Sequence, residues 1–545
     1  MTSKAPPCTY FDTPEGRWTL ASEFTTEDAA NQFLPHITRD SAADDLCLGS
    51  SSGTEPPTTS SSGGMRFSAA SSAMASGGLM FGDASPLVSS RATSAVTASI
   101  PKSNLHMLAN RPTQVSIFRM GEEGTASTTG PSGKGGGGQS TEVHSKGIVT
   151  KSTSAYVSRI VTNENLARWI VGDCQHSAHL VFNAPRCMAW VGLQPECSGE
   201  TLARLDLASN TPLCHDVNGA TRGDSRLDVV MGFVQGNIIW YDAVSGKYAR
   251  LNKNSGYSPA VVCVQWLPGS ATLFMAGTSD GCVMIIDRTK DDFCVPALAH
   301  STRRMGLDGF EVAQALKPKS NPVAFWRLSN RPITCLAFAP DARRVAIGAE
   351  DGGLRVVDYL SEVLEDVHPS YFAGFTCAAW SPDAKYLVAG GKDDLVTVWS
   401  SSPSSSSSDH ALVARCMGHE SWVRAIAFDP VGQEDTYRFM SVGDDRLLVW
   451  DFSLPALHRP RAPLCPVDGA HLEGAPGAGD GPSELVHPRL PRAAAAVLQP
   501  LVAVAIHDSP ICSLQFSQDL LVTACRRGVI KVWKRPAAFD LSSYI

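Results

Sequence analysis

The residues of this chain best suited to chemistry are two pairs of adjacent acids. Asp393-Asp394 and Asp444-Asp445 each set two carboxylates side by side, an arrangement that could serve acid/base catalysis or hold a divalent cation. Single acids recur in a fixed frame, however: Asp280, Asp351 and Asp393 each stand six positions before the last apolar residue of a short run, namely Ile286, Val357 and Trp399. Recurrence of that kind belongs to a scaffold, in which Asp side chains accept backbone hydrogen bonds in tight turns. Other catalytic patterns are missing. The glycine run at 133–138 lacks the Gly-Lys-Ser/Thr ending of a phosphate loop, and neither a His-Glu-x-x-His nor a strand-borne Gly-x-Ser-x-Gly elbow occurs. The 15 cysteines are scattered without a Cys-x-x-Cys pair, and Cys263, Cys282, Cys335, Cys377, Cys512 and Cys525 fall inside strand patterns, as small core residues in a reducing compartment would. The sequence therefore reads as a non-enzyme with no cofactor, no metal and no small-molecule substrate.

The elements that position these acids repeat. Segments such as VVMGFVQGNIIWYDA (229–243), LFMAGTSDGCVMIID (273–287), LVAGGKDDLVTVWS (387–400) and FMSVGDDRLLVWDF (439–452) each carry two period-2 apolar runs around a short turn, as a hairpin requires. Six such copies lie between Leu227 and Trp533, most preceded by a further strand such as PITCLAFAP or FTCAAWSP. A three-stranded unit with a fourth strand outside it cannot bury both faces alone, so neighbours must stack around a channel. The expected fold is all-β, a seven-bladed WD-repeat β-propeller, the seventh and irregular copy being the hairpin at 179–193. In the clearest copy, His419 of Gly418-His419 is expected to bond an acid of the Asp444-Asp445 turn, while a second-strand Ser or Thr and Trp450 complete a buried network. The residues assigned to this structural turn network are His419, Asp280, Asp351, Asp393, Asp444, Trp399 and Trp450. Arg526-Arg527 replace the acids in the last copy, which is expected to lack the network.

At 545 residues the chain exceeds the roughly 300 that seven blades require. Residues 1–48 read as an N-terminal arm, 49–145 as a Ser/Gly/Thr-rich segment too poor in large apolar groups to order, 146–537 as the propeller and 538–545 as a tail. Three insertions interrupt the ring, at 290–321, 400–409 and 454–500, with most of 455–495 expected to be unstructured. Because the last strand ends near Trp533, an N-terminal segment must supply that blade's outer strand. Cys8–Leu20 is preferred over Thr113–Met120. The net charge of −7 without a dense Lys/Arg block argues against nucleic acid, and no run of 18 apolar residues predicts a membrane span. With no apolar leader at the start, the expected location is the cytoplasm or the nucleus.

Longer stretches are more specific than a Trp-Asp dipeptide. DVVMGFVQGNIIWYDAVSGKYARLNKN (228–254), QWLPGSATLFMAG (265–277), GFTCAAWSPDAKYLVAGGKDDLVTVWS (374–400), GHESWVRAIAFDP (418–430), TYFDTPEGRW (9–18) and HDVN (215–218) resemble the family of the fungal catabolite-repression protein creC and the animal dystrophia-myotonica WD-repeat protein, the fungal branch most closely. The resemblance implies a non-catalytic regulatory subunit that binds and activates or stabilises a ubiquitin-specific protease (creB-like) in carbon catabolite repression. The fold alone equally admits a generic adaptor, such as a substrate receptor of a ubiquitin ligase. Two aromatics at or near the entrance to an innermost strand, Phe372 and Trp422, are the expected partner-binding residues.

Overall fold

The structure, a computed structural model, describes residues 8–26, 114–120 and most of 150–536; stretches within the last range, such as 402–411 and 458–484, lie outside the described residues. Seven antiparallel sheets follow one another as blades, each with the first strand innermost. Blade 2 (Pro212–Val217, Asp228–Phe233, Ile238–Asp242, Lys247–Leu251) and blade 4 (Ile333–Phe338, Arg344–Ala349, Gly353–Asp358, Val363–Pro369) have the plain four-stranded form. Blade 3 begins at Val261–Trp266, blade 5 at Phe375–Trp380, blade 6 at Ala425–Phe428 and blade 7 at Ile511–Phe516. Alternating β-branched and aromatic residues bury one set of side chains against the preceding blade and one against the next, so the core consists of wedges between blades rather than one central mass. Val230, Phe274 and Phe325, for example, pack together between blades 2 and 3.

The expected hairpin at 179–193 is present as Ala178–Ala184 and Cys187–Leu193, which form blade 1 with Glu200–Leu207 outside them. Its innermost strand is Val115–Arg119, paired antiparallel with Ala178–Ala184. This corrects one expectation, since part of the 49–145 segment is ordered, and it gives Thr113–Met120, the less favoured candidate for closing the ring, a place as an inner strand. Val115, Ser116, Phe118 and Met120 are buried, and those apolar contacts offset the ordering entropy that the polar flanks cannot. The rest of that segment, 49–113 and 121–145, lies outside the described residues.

Closure of the ring comes from Gly16–Thr25, which pairs with Val529–Lys534 as the outer strand of blade 7, with Tyr10–Thr13 folded back as a hairpin. The strand starts inside the preferred segment and runs five residues beyond it. The insertions also contribute structure. Glu311–Gln314 joins blade 3 beyond Ala324–Arg327, and Ala496–Leu498 runs parallel to Leu412–Met417 of blade 5; just past the last insertion, Val502–Ala505 is the outer strand of blade 6.

The singly scattered cysteines have a packing explanation. A Cβ built on Gly232, Gly277, Gly348 or Gly390 would meet the sulfur of Cys214, Cys263, Cys335 or Cys377 at 2.6–2.9 Å. Each pair joins the first and second strands of one blade, so a glycine makes room for the thiol beside the channel.

Candidate partner-binding rim

The turn network holds the blade entrances that form the rim. His419 Nε2 lies 2.6 Å from Ser441 Oγ, and Trp450 Nε1 donates to the same oxygen at 2.8 Å. Ser441, not Asp444, is thus the hydrogen-bond partner of the imidazole; Asp444 acts on it through charge. Burial pushes the His419 pKa down to about 4, against that charge, so the ring is neutral. Blade 7 repeats the arrangement, with His507 Nε2 2.9 Å from Thr523 Oγ1 and Trp533 Nε1 donating to that hydroxyl at 3.0 Å. The expectation that blade 7 lacks the network is therefore corrected. Its anchor is a hydroxyl, which needs no turn acid, and the sequence signal was a histidine four residues before the innermost strand.

The other turn acids have individual partners. Asp280 accepts hydrogen bonds from the Tyr257 hydroxyl at 2.7 Å and the Thr278 hydroxyl at 2.6 Å. Asp351 pairs with the fully buried Arg355 at 2.6 Å and accepts the Gly353 amide at 2.8 Å. Burial opposes ionisation of Asp351, yet the Arg355 guanidinium holds its pKa below the ordinary value. Asp393 accepts the Phe372 amide at 3.2 Å, and burial raises its pKa. Trp399 Nε1 donates to Thr397 at 2.9 Å. Asp280, Asp351 and Asp393 belong to hairpins of three different blades.

Phe372 sits in the short connection from Val363–Pro369 of blade 4 to Phe375–Trp380 of blade 5, with 86% of its surface exposed. Two hydrogen bonds fix that connection: Ser370 N donates to Gly352 O at 2.7 Å, and Phe372 N donates to Asp393. Beside the phenyl ring lies a pocket of about 340 Å³ lined by Tyr371, Lys392, Leu395, Arg415, Met417 and Val497 among others. Arg415 stacks on Tyr371 at 4.6 Å. Lys392 links this pocket to Trp422, because its ammonium lies 4.9 Å from the indole centroid and 2.6 Å from Glu350. Arg424 covers the indole as well, at 5.3 Å. Phe372 and Trp422 therefore belong to one surface spanning blades 5 and 6, in which apolar rings alternate with cations.

Sequence reasoning missed the buried seam formed by the HDVN residues. His215 joins Asn183 and Ser116, each at 3.0 Å, while Gln114 bonds the His215 backbone at both ends. Asp216 accepts the Trp266 amide at 2.7 Å, and burial pushes its pKa up to about 7. Asn218 donates to Ser270 O at 3.0 Å. The motif stitches blades 1, 2 and 3 together.

Comparison with known proteins agrees with the repeats. The family model "WD domain, G-beta repeat" matches residues 321–358, 367–400 and 411–451. A Schizosaccharomyces pombe protein, UBP9-binding protein bun62, is 32% identical over 416 residues, covering 71% of this chain and 76% of that protein. The chain belongs to the WD-repeat family. A chain in a crystal structure of a mitotic checkpoint complex aligns with 66% of this WD-repeat protein and 88% of its own length, at 16% identity and a TM-score of 0.43. Among the described residues of the WD-repeat protein, no helix is long and apolar enough to cross a membrane.

Proposed function

We propose that this chain is a non-catalytic regulatory subunit that binds a ubiquitin-specific protease and activates or stabilises it, in carbon catabolite repression. The observation that carries the reading is the similarity to a fission-yeast protein named for binding UBP9, across three quarters of that protein. The sequence resemblance to the creC family points to the same partner class and supplies the pathway. The rim around Phe372 and Trp422 suits such a role, since an exposed aromatic beside a pocket is the kind of feature that carries interface energy. Catalysis would reside in the partner. The test is reconstitution: purified chain and a creB-like protease should co-elute, and the chain should raise the protease's turnover of a ubiquitin conjugate while hydrolysing none alone. Failure to co-elute, with recovery of a cullin-ligase adaptor instead from the native host, would overturn the reading in favour of a ligase receptor.

A further inference from the structure

The 454–500 insertion returns to the ring at blade 4. Val486 forms a parallel bridge with Val367, Val367 N donates to Leu485 O at 2.9 Å, and His487 N donates to Val367 O at 3.1 Å. This backbone ladder sets His487 beside Asp366 and His368, which stand two apart on the outer strand and so share a face. One ligand atom from each of the three lies within 4.8 Å of the others. Asp366 Oδ1 is 2.7 Å from His487 Nε2, and Asp366 Oδ2 is 3.6 Å from His368 Nε2.

His368 is what asks for a ligand. Only 2% of it is exposed, its ring lies between Trp399 and His487 at 4.6 and 5.0 Å, and Nδ1 has no hydrogen-bond partner among the described residues. Its Nε2 is turned toward Asp366 but stops short of a hydrogen bond. A buried imidazole is seldom left so poorly satisfied. Two imidazole nitrogens and one carboxylate oxygen match a borderline transition metal, whereas calcium or magnesium would require oxygens throughout.

We propose that Asp366, His368 and His487 bind a divalent transition metal, Zn²⁺ by class, which clamps the long insertion onto blade 4. Tetrahedral coordination places ligand atoms about 3.3 Å apart, inside the spread seen here. His487, which is half-buried, turns out of its near-parallel stack on His368 to give up its bond to Asp366, and water fills the fourth position. The metal thereby fixes the strand end that leads into Ser370 and Phe372. This site stands independently of any protease partner.

The experiment uses the full chain stripped with a chelator and titrated with Zn²⁺ alone by calorimetry, then with Co²⁺ by absorption. Wild type should bind one Zn²⁺ with micromolar or tighter affinity and melt at higher temperature when loaded. Its Co²⁺ spectrum should show visible d–d bands without the near-ultraviolet thiolate band that the cysteines would give. His487→Ala and Asp366→Asn, at partly exposed positions that leave His368 in place, should each weaken binding at least about tenfold. Absence of saturable binding, a thiolate band, or undiminished affinity in both variants would overturn the proposal.

Discussion

At the scale of single residues, a hydroxyl anchors each full network. Ser441 and Thr523 each receive an indole N–H and face an imidazole, so one oxygen joins the second strand, the third strand and the entrance loop of a blade. His419→Ala should leave Ser441 half-satisfied and cost about 1–3 kcal/mol, read as a lower midpoint in urea. The matching change in blade 7, His507→Ala, should cost a similar amount; were it silent, the network there would be incidental. Buried imidazoles also set the acid limit of the fold. His215 and His419 are depressed by burial to about 4, and His507 to about 3 by burial with Lys531 adding to it, whereas in the unfolded chain each titrates near 6.5. Below pH 6.5 the unfolded chain takes up protons that the fold refuses, so stability falls as pH drops toward 4. Asp216, raised to about 7, works in the opposite direction, gaining stability as pH falls from 7 to about 4. These histidines, to which His368 at about 4 adds, outweigh the one raised carboxyl, so stability should fall between pH 6.5 and 4. Urea titrations at pH 7.5 and 4.5 measure it. Equal stability at the two values would mean that these rings are not held neutral.

At the scale of elements, closure depends on residues more than 500 positions from the strand they complete. Trp18 is fully buried, stacks on Phe11, donates to Glu15 at 3.0 Å and lies under Arg535 at 4.9 Å, and Phe11 meets Trp533 edge-on at 5.2 Å. Neighbouring ion pairs bind blade 7 to blade 6, Arg535 to Asp429 at 2.6 Å and Arg438 to Glu15, while Asp451 of blade 6 holds Arg438 in place. Trp18→Ala should therefore cost about 3–5 kcal/mol and expose the ring to proteolysis at blade 7 first. Intact limited-proteolysis fragments like those of wild type would argue against this closure. The sequence shows clearly those parts of the fold whose signal is local. Six hairpins, the irregular hairpin at 179–193 and the need for an N-terminal strand all follow from apolar alternation and turn residues. What escaped is non-local: Val115–Arg119 is five residues in a polar stretch, and its place beside Ala178–Ala184 depends on Gln114 and Ser116 meeting His215, about a hundred positions away. At the rim, Phe372 and Trp422 could be singled out by their place before innermost strands. Lys392 and Arg415, which unite them into one surface, come from the turn and outer strand of blade 5 and carry no signal of their own.

For the whole molecule, a ring of blades is rigid where its wedges pack and variable only at loops and edges, so partners must be met there. Of the large apolar side chains exposed among the described residues, Phe372 is the most open, and Val497 beside it lines the same pocket. The Phe372 ring does not support the fold: Phe372 offers only its amide to Asp393, a bond that survives truncation of the ring. Trp422 differs in being half-buried beneath Lys392 and Arg424, so its indole also holds two cations at that surface. With a ubiquitin-specific protease docked on this surface, Phe372→Ala and Trp422→Ala should each cost roughly 2 kcal/mol or more of affinity, about thirtyfold in Kd. Melting temperature should be unchanged for Phe372→Ala. Lys392→Ala should instead weaken binding mainly through slower association, an effect that fades as salt rises. Surface-immobilised protease with the purified variants, at low and physiological salt, separates these terms. Wild-type affinity in both aromatic variants would move the docking surface away from blades 5 and 6, while a parallel loss of affinity and melting temperature in Phe372→Ala would make that residue part of the scaffold instead.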